Sequence, residues 1–189
     1  MKKRLNFIAA IFLLVMEEES AFWCMICLIE KYSLQDAYIS SEYRKKTFSC
    51  LRCVTKKELP KIHDHFMKFN IEYEIFAVEW TQIFFAKEFS VEIVMRIWDN
   101  YFLEGFSFIL RSILAILKIL SDQILKIKDY MEIIRFLKDK PQLIEEERLF
   151  KAIYSIRKTK EIMSFDSLGF LDRTEDEKTY VGVDLQFVI

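Results

Sequence analysis

The 189-residue sequence predicts an all-α fold, and three observations carry that expectation. Only three Gly and two Pro are present, too few for the frequent tight turns of an all-β chain. Apolar residues recur at three- and four-residue spacing in successive stretches, the period of a buried helix face. Hydrophobic residues make up 52% of the chain and aromatics 15%, with eighteen Phe, ample material for the core of one domain. The net charge of −1 sets up no global field that would draw the chain to nucleic acid or to acidic membranes, so no nucleic-acid partner is expected.

The chain opens on Met1-Lys-Lys-Arg4 and an apolar run from Leu5 to Met16. A charged start and a short hydrophobic segment fit a secretory signal peptide. Against that reading, Asn6 interrupts the run early and no Ala-x-Ala-like site precedes Glu17. The run is also shorter than the ~20 residues that span a bilayer, so no intrinsic membrane span is expected. A second helix is expected over about Glu19 to Tyr32, carrying Phe22, Trp23, Ile26, Leu28 and Ile29.

Cys24 and Cys27 lie in that helix, and Cys50 and Cys53 form a second Cys-x-x-Cys pair. Two such pairs, with His63 and His65 nearby, raise the question of zinc. The interval from Cys27 to Cys50 is longer than usual, and neither pair has the Gly or Pro of a ligand-bearing turn. The two His, on a helix, point about 200° apart at ~100° per residue. No metal and no cofactor are expected; Cys24 reads as a small buried hydrophobe, with Cys24 and Cys27 reduced within the helix.

Ser33 to Lys57 is more polar, and its basic run Arg44-Lys45-Lys46 reads as a solvated helix face or loop. Pro60 opens a helix over Lys61 to Phe69, since its missing donor is not needed in the first turn, and Asn70 ends it. Tyr73 to Phe85 is core-like, with Trp80 as a packing residue. Ser90 is placed to cap the next helix, with Glu92 in its first turn. Val94, Ile97, Trp98, Tyr101 and Phe102 form its buried face, and Glu92, Arg96, Asp99 and Asn100 the opposite one. Glu92 and Arg96 stand at pairing distance along the helix. Gly105 interrupts the pattern as a positive-φ helix end does.

From Phe106 to Leu120 the chain is apolar almost all round, with a thin polar seam at Ser107, Arg111 and Lys118. Such a helix belongs in the middle of a helical domain. Ser121 and Asp129 are candidate caps for two further helices, the second ending near Lys140 before Pro141. Glu145 to Arg157 forms another, with Leu149, Phe150, Ile153 and Ile156 on one face. In the tail, Thr179, Val181, Val183, Leu185, Phe187 and Ile189 alternate with mostly polar positions, a strand pattern.

Several of these blocks together resemble a known family. Ile-Phe-Ala-Val-Glu-Trp80, Arg-Ile-Trp-Asp99 and Phe-Leu-Glu-Gly105 look like the second half of a TBC domain, the module of Rab GTPase-activating proteins. Asn6-Phe-Ile-Ala-Ala10 and Glu-Glu-Glu-Ser-Ala-Phe-Trp23 resemble the segment that follows the family's Tyr-x-Gln motif. Leu59-Pro60 with His65 and Phe66 adds a third block in the same order. The resemblance implies a multi-helix orthogonal array like the C-terminal lobe of that domain, over residues 1–157, with 158–189 as a separate tail. It makes the first run a core helix, and Asn6, Trp23, Pro60, Trp80, Arg96, Trp98, Asp99 and Gly105 structural motif positions. It also implies a Rab-type small GTPase as partner and a cytoplasmic setting, peripheral to membranes through that partner.

The same resemblance bears on chemistry. GTP hydrolysis on a small GTPase is slow because developing phosphate charge is unstabilised and the water is poorly placed. The family supplies an Arg from Ile-x-x-Asp-x-x-Arg and a Gln from Tyr-x-Gln. Extending the match backward from Asn6 puts Lys3 at the glutamine position and Met1 at the tyrosine. A Lys cannot both donate to and accept from a water as an amide does. No catalytic residue is therefore expected, and Arg4, Arg96 and Arg111 lie in no matching motif. There is also no Gly-rich phosphate loop, nucleophile elbow or His-Glu-x-x-His pattern. The expectation is a truncated or catalytically incomplete family member acting in Rab regulation and vesicle trafficking. The alternatives are an inert helical module that binds a GTPase or scaffold, and a secreted helical protein with an N-terminal signal.

Overall fold

A computed structural model describes residues 2–32 and 34–163, and among them every regular element is helical. In chain order these are α1 (Lys2–Val15), α2 (Glu18–Glu30), α3 (Leu34–Ile39), α4 (Ser41–Glu58), α5 (Pro60–Lys68), α6 (Tyr73–Ile83), α7 (Val91–Glu104), α8 (Phe106–Ile124), α9 (Tyr130–Asp139) and α10 (Glu146–Ser155). A 3₁₀ turn, Pro141–Leu143, joins the last two. The alternating pattern at 179–189 lies outside the described residues.

α8 is the hub because its sequence offers neighbours an apolar surface in every direction. Fourteen of its nineteen residues are buried, and α5, α6, α7 and α10 pack against it. Each Leu or Ile so buried contributes roughly 1.5–3 kcal/mol relative to exposure. Ser112, with no apolar partner to offer, turns its hydroxyl back to the Phe108 carbonyl at 2.8 Å, so its burial leaves no donor unmet. Arg111 is buried too, where its guanidinium donates to Glu104 at 2.7 Å and to the Ile153 carbonyl at 3.2 Å.

The first apolar run is a core helix. Ile8, Ile11 and Phe12 sit at helical spacing and are buried in the one cluster that α6, α7 and α8 also enter. Phe12 meets the Trp98 ring edge-on at 5.0 Å. No helix among the described residues is long and apolar enough to cross a membrane.

Helix ends follow local chemistry in several places. Pro60 occupies the first turn of α5, Asn70 takes φ 54° just beyond its end, and the Asp129 carboxylate accepts from the Glu132 N–H at the start of α9. The polar stretch after Ser33 resolves into α3 and α4, with the Ser40 hydroxyl capping α4 through the Tyr43 N–H.

Three local expectations need correction. Ser121 caps nothing: α8 runs through it to Ile124, because Leu117, Leu120 and Ile124 prolong the buried stripe. Ser90 precedes α7 but makes no side-chain capping bond. The Glu92 carboxylate instead takes its own backbone N–H and the Ser90 hydroxyl, which together hold its pKa low. Glu92 and Arg96 do not pair, since Arg96 is drawn to α10, as described below.

Gly105 makes the α7–α8 corner. Its φ of 78° and ψ of −165° lie in a region essentially closed to residues with a Cβ. Its N–H closes α7 on the Tyr101 carbonyl at 2.8 Å, and its own carbonyl accepts from Phe108 at 3.1 Å to open α8. One residue thus ends one helix and starts the next.

Candidate functional site

The region of interest is the start of α1, where Lys3 stands in the first turn beside Arg4. Arg4 is the residue that ties this end down. Its Nη1 donates to Gln82 Oε1 on α6, and its Nε lies 4.0 Å from Glu79 Oε1 on the same helix. Gln82 is buried and uses its other side-chain atom as well, donating from Nε2 to the Ala37 carbonyl at 2.9 Å. Tyr38 then donates its hydroxyl to the Gln82 carbonyl at 3.0 Å, and Arg44 on α4 donates to the Tyr38 carbonyl at 2.9 Å. One polar seam therefore joins α1, α3, α4 and α6. Burial pushes the Tyr38 hydroxyl up to about 12, against the opposing pull of Arg4, so it stays a donor at neutral pH.

Glu79 is shared, because Lys87 reaches its other oxygen at 3.8 Å. Lys87 belongs to the tight connection between α6 and α7. In that connection Phe84 (φ 48°) and Phe85 (φ 63°) both take left-handed backbone, which costs residues with a Cβ roughly 1–2 kcal/mol each. The packing that holds them is visible. Both rings are fully buried, Phe84 against Tyr101 at 4.7 Å and Phe85 against Trp80 at 5.8 Å. The Phe84 carbonyl, released from helix pairing by the turn, accepts from Trp98 Nε1 at 2.8 Å. Glu88 follows, with one carboxylate oxygen buried and unbonded among the described residues. Burial, reinforced by the like charge of Glu79, raises its pKa to about 7 against the opposing influence of Lys87.

The motif positions fall in different environments. Trp80 and Trp98 are buried in the same cluster as Leu110 and Leu114, whereas Phe102 is half-buried against Tyr32. Asn6, Pro60 and Asp99 are exposed. Trp23 is 60% exposed and meets Phe22 edge-on; Leu13 and Leu14, at the end of α1, are exposed as well. Arg96 projects from α7 onto α10, with its guanidinium 4.0 Å above the Phe150 ring and Nη1 2.8 Å from Glu146. Asn100 extends the same link by accepting from the Tyr154 hydroxyl at 3.2 Å.

The cysteines are dispersed. All four are free, Cys53 is exposed, and the other three are half-buried. Burial pushes the Cys50 thiol up to about 12, where its Sγ donates to the Glu161 carbonyl at 3.4 Å. His63 is buried against the Tyr73 hydroxyl at 3.1 Å. Among the described residues no three His, Cys, Asp or Glu side chains cluster as a metal site would need.

The seam from Arg4 through Gln82 joins residues far apart in the chain, and no local pattern marks it. The only local hint is that Thr81 and Gln82, set between Trp80 and Ile83 at the end of α6, need partners once buried. Thr81 finds its own at the Ala77 carbonyl, and Gln82 finds Arg4.

Comparison with known proteins places this geometry. The Rab-GTPase-TBC domain family matches residues 3–125, from the start of α1 to just past the end of α8. Human TBC1 domain family member 2B is 31% identical over 138 residues, covering 71% of this chain and 14% of that protein. Rat TBC1 domain family member 2A is 31% identical over 157 residues, covering 79% and 16%. Among solved structures, the Chlamydomonas flagellar RabGAP TBC domain superposes with a TM-score of 0.72 at 26% identity, covering 80% of this chain and 51% of that one. The Ypt/Rab-GAP domain of Gyp1p gives 0.61 at 26% identity, covering 78% and 45%. The chain thus spans about a seventh of the curated relatives' length and about half of each solved domain. On its helical architecture and this sequence match, the chain belongs to the Rab-GTPase-TBC domain family.

Proposed function

We propose that this chain contributes to the regulation of Rab-type small GTPases in vesicle trafficking as the carboxy-terminal lobe of a TBC module, extending over residues 1–157. By itself it does not accelerate GTP hydrolysis. The observation that carries this reading is the family match over residues 3–125 in a sequence containing neither Ile-x-x-Asp-x-x-Arg nor Tyr-x-Gln. Support for the longer boundary comes from α10, whose Leu149, Phe150 and Ile153 enter the same core as α8. The partner is a Rab-type GTPase, and the chain reaches membranes through it. The chain itself contributes no metal or cofactor.

The chemical argument concerns what remains at the start of α1. Lys3 takes the position of the family's glutamine, and an ammonium only donates. Arg4, next to it, is engaged by Gln82 and Glu79, so it is a structural tie and not a free finger. Loss of an arginine finger alone costs about 10³–10⁵ in rate.

Single-turnover GTP hydrolysis across a panel of Rab proteins tests the reading, with the unmodified chain and with Lys3→Gln. The expected rates equal the intrinsic ones in both cases, because restoring the amide leaves the arginine missing. Stimulation well above the intrinsic rate by the unmodified chain overturns the proposal. Binding of GTP-loaded Rab without stimulation supports the inert-module form of the same reading.

A further inference from the structure

We infer that the outer face of α4 is a docking surface for anionic lipid bilayers, so that the chain itself contacts the membrane in addition to any GTPase partner. The charge of the molecule is unevenly distributed. Within Ser41–Glu58 there are six basic residues and two acidic ones, a balance of +4 in a chain of net −1, which leaves −5 for everything else. The helix sorts these charges by face. Thr47, Phe48, Leu51, Val54 and Thr55 are buried, and Arg44 turns inward to the Tyr38 carbonyl. Lys45, Lys46, Arg52, Lys56 and Lys57 are all exposed. At ~100° per residue, Lys45, Arg52 and Lys56 fall within roughly 40° of one another, with Lys46 and Lys57 on the flank. From Lys45 to Lys56 the line is about 16 Å long at 1.5 Å per residue.

These cations are available to a ligand. Lys45 and Lys56 make no ion pair among the described residues, while Lys46, Arg52 and Lys57 have Glu42, Glu72 and Glu161 at 2.8, 3.5 and 3.5 Å. All three pairs are solvent-exposed, and such pairs hold their partners weakly. An approaching phosphate competes with them readily.

What the face lacks decides the kind of partner. No large hydrophobic side chain of α4 is exposed. A protein interface draws most of its energy from a cluster of buried Trp, Tyr and Arg anchors, and single-stranded nucleic acid from stacking on aromatic rings; this face exposes no large aromatic and a single Arg, Arg52. A fluid anionic bilayer needs no shape complementarity and rewards a row of Lys and Arg by charge alone, about fivefold in affinity per basic residue near the surface.

Vesicle flotation of the full chain tests the inference without any GTPase, so its outcome is independent of the Rab reading. Vesicles of phosphatidylcholine alone are compared with vesicles in which phosphatidylserine forms roughly a third of the lipid, a composition typical of a cytoplasmic leaflet mimic. The expected result is recovery with the phosphatidylserine vesicles only, weakening as salt is raised. Lys45→Gln, Arg52→Gln and Lys56→Gln together should lower partitioning about a hundredfold at the per-residue factor above. The matched control, Lys126→Gln, Lys128→Gln and Lys138→Gln, removes the same charge elsewhere and should change it by a few-fold at most. Far-ultraviolet circular dichroism confirms that both variants fold. Equal flotation with pure phosphatidylcholine would mean insertion of exposed apolar side chains such as Leu13, Leu14 and Trp23 and would overturn the inference. So would equal losses in the two triple variants, absence of flotation with the native chain, or tighter binding to duplex DNA than to the anionic vesicles.

Discussion

Trp98 Nε1 donates to the Phe84 carbonyl at 2.8 Å, joining α7 to the left-handed turn that ends α6. The bond does two things at once. It satisfies a carbonyl that the turn removes from helix pairing, and it fixes the indole whose ring also receives Phe12. Trp98→Phe keeps most of the buried ring but strands the carbonyl, and should cost roughly 1–3 kcal/mol. Trp98→Ala adds the cavity, for about 3–5 kcal/mol. Urea denaturation of the three proteins separates the two contributions, and a Trp98→Phe variant as stable as the parent would mean that the bond contributes nothing.

Gly105 should tolerate no side chain. Its φ of 78° with ψ of −165° is a conformation that costs a residue with a Cβ about 1–3 kcal/mol. Gly105→Ala is therefore expected to lower the melting temperature by several degrees without altering the helical circular dichroism signal. An unchanged melt would show that the α7–α8 corner relaxes into another turn.

Arg96 couples α10 to the family core. Its guanidinium stacks on Phe150 and pairs with Glu146, contacts worth about 0.5–1 kcal/mol and 0–1 kcal/mol at a half-exposed site. Arg96→Ala should cost about 1 kcal/mol and raise amide exchange in α10 more than in α8. Arg96→Lys retains charge but not the planar stack, and should fall between the two. Exchange rising equally in both helices would mean that α10 is not held by this residue.

Where sequence reading succeeded, the information was local. Pro60 and Asp129 announce helix starts within a single turn, and the face of Val94, Ile97, Trp98 and Tyr101 follows from spacing alone. The apolar character of α8 likewise required a central position. The readings that failed concern choices between partners. Arg96 lies one turn from Glu92 and fifty residues from Glu146, yet the ring of Phe150 makes the distant site better. Ser121 has the chemistry of a cap, but Ile124 continues the buried stripe and keeps the helix going. Trp23 sits in a run apolar on every side, where no periodicity indicates which face opens to solvent. The Arg4–Gln82 contact spans seventy-eight residues, and only the packed fold brings its ends together.

Glu88 should give the stability of the protein a distinctive pH dependence. Its carboxyl is raised to about 7, first by burial and then by Glu79, from the ordinary value of 4.5 that it has in the unfolded chain. Between those two values the folded protein keeps a proton that the unfolded chain releases. The contribution of this group is thus fully present below about pH 4.5 and is lost as pH rises through about 7. Glu88→Gln imitates the neutral form at every pH. At about pH 8 the variant should be more stable than the parent by roughly 1–3 kcal/mol, the scale of a shift of this size at 1.36 kcal/mol per unit after allowance for partial solvation. Near pH 4.5 the two should converge. The comparison also isolates Glu88 from other carboxylates, since their titration is common to both proteins and cancels in the difference. Urea denaturation at the two pH values reads the effect directly. A difference that is the same at both, or a variant less stable than its parent at the higher pH, would show that the carboxylate is stabilised in the fold by a contact stronger than its neighbours Glu79 and Lys87 imply.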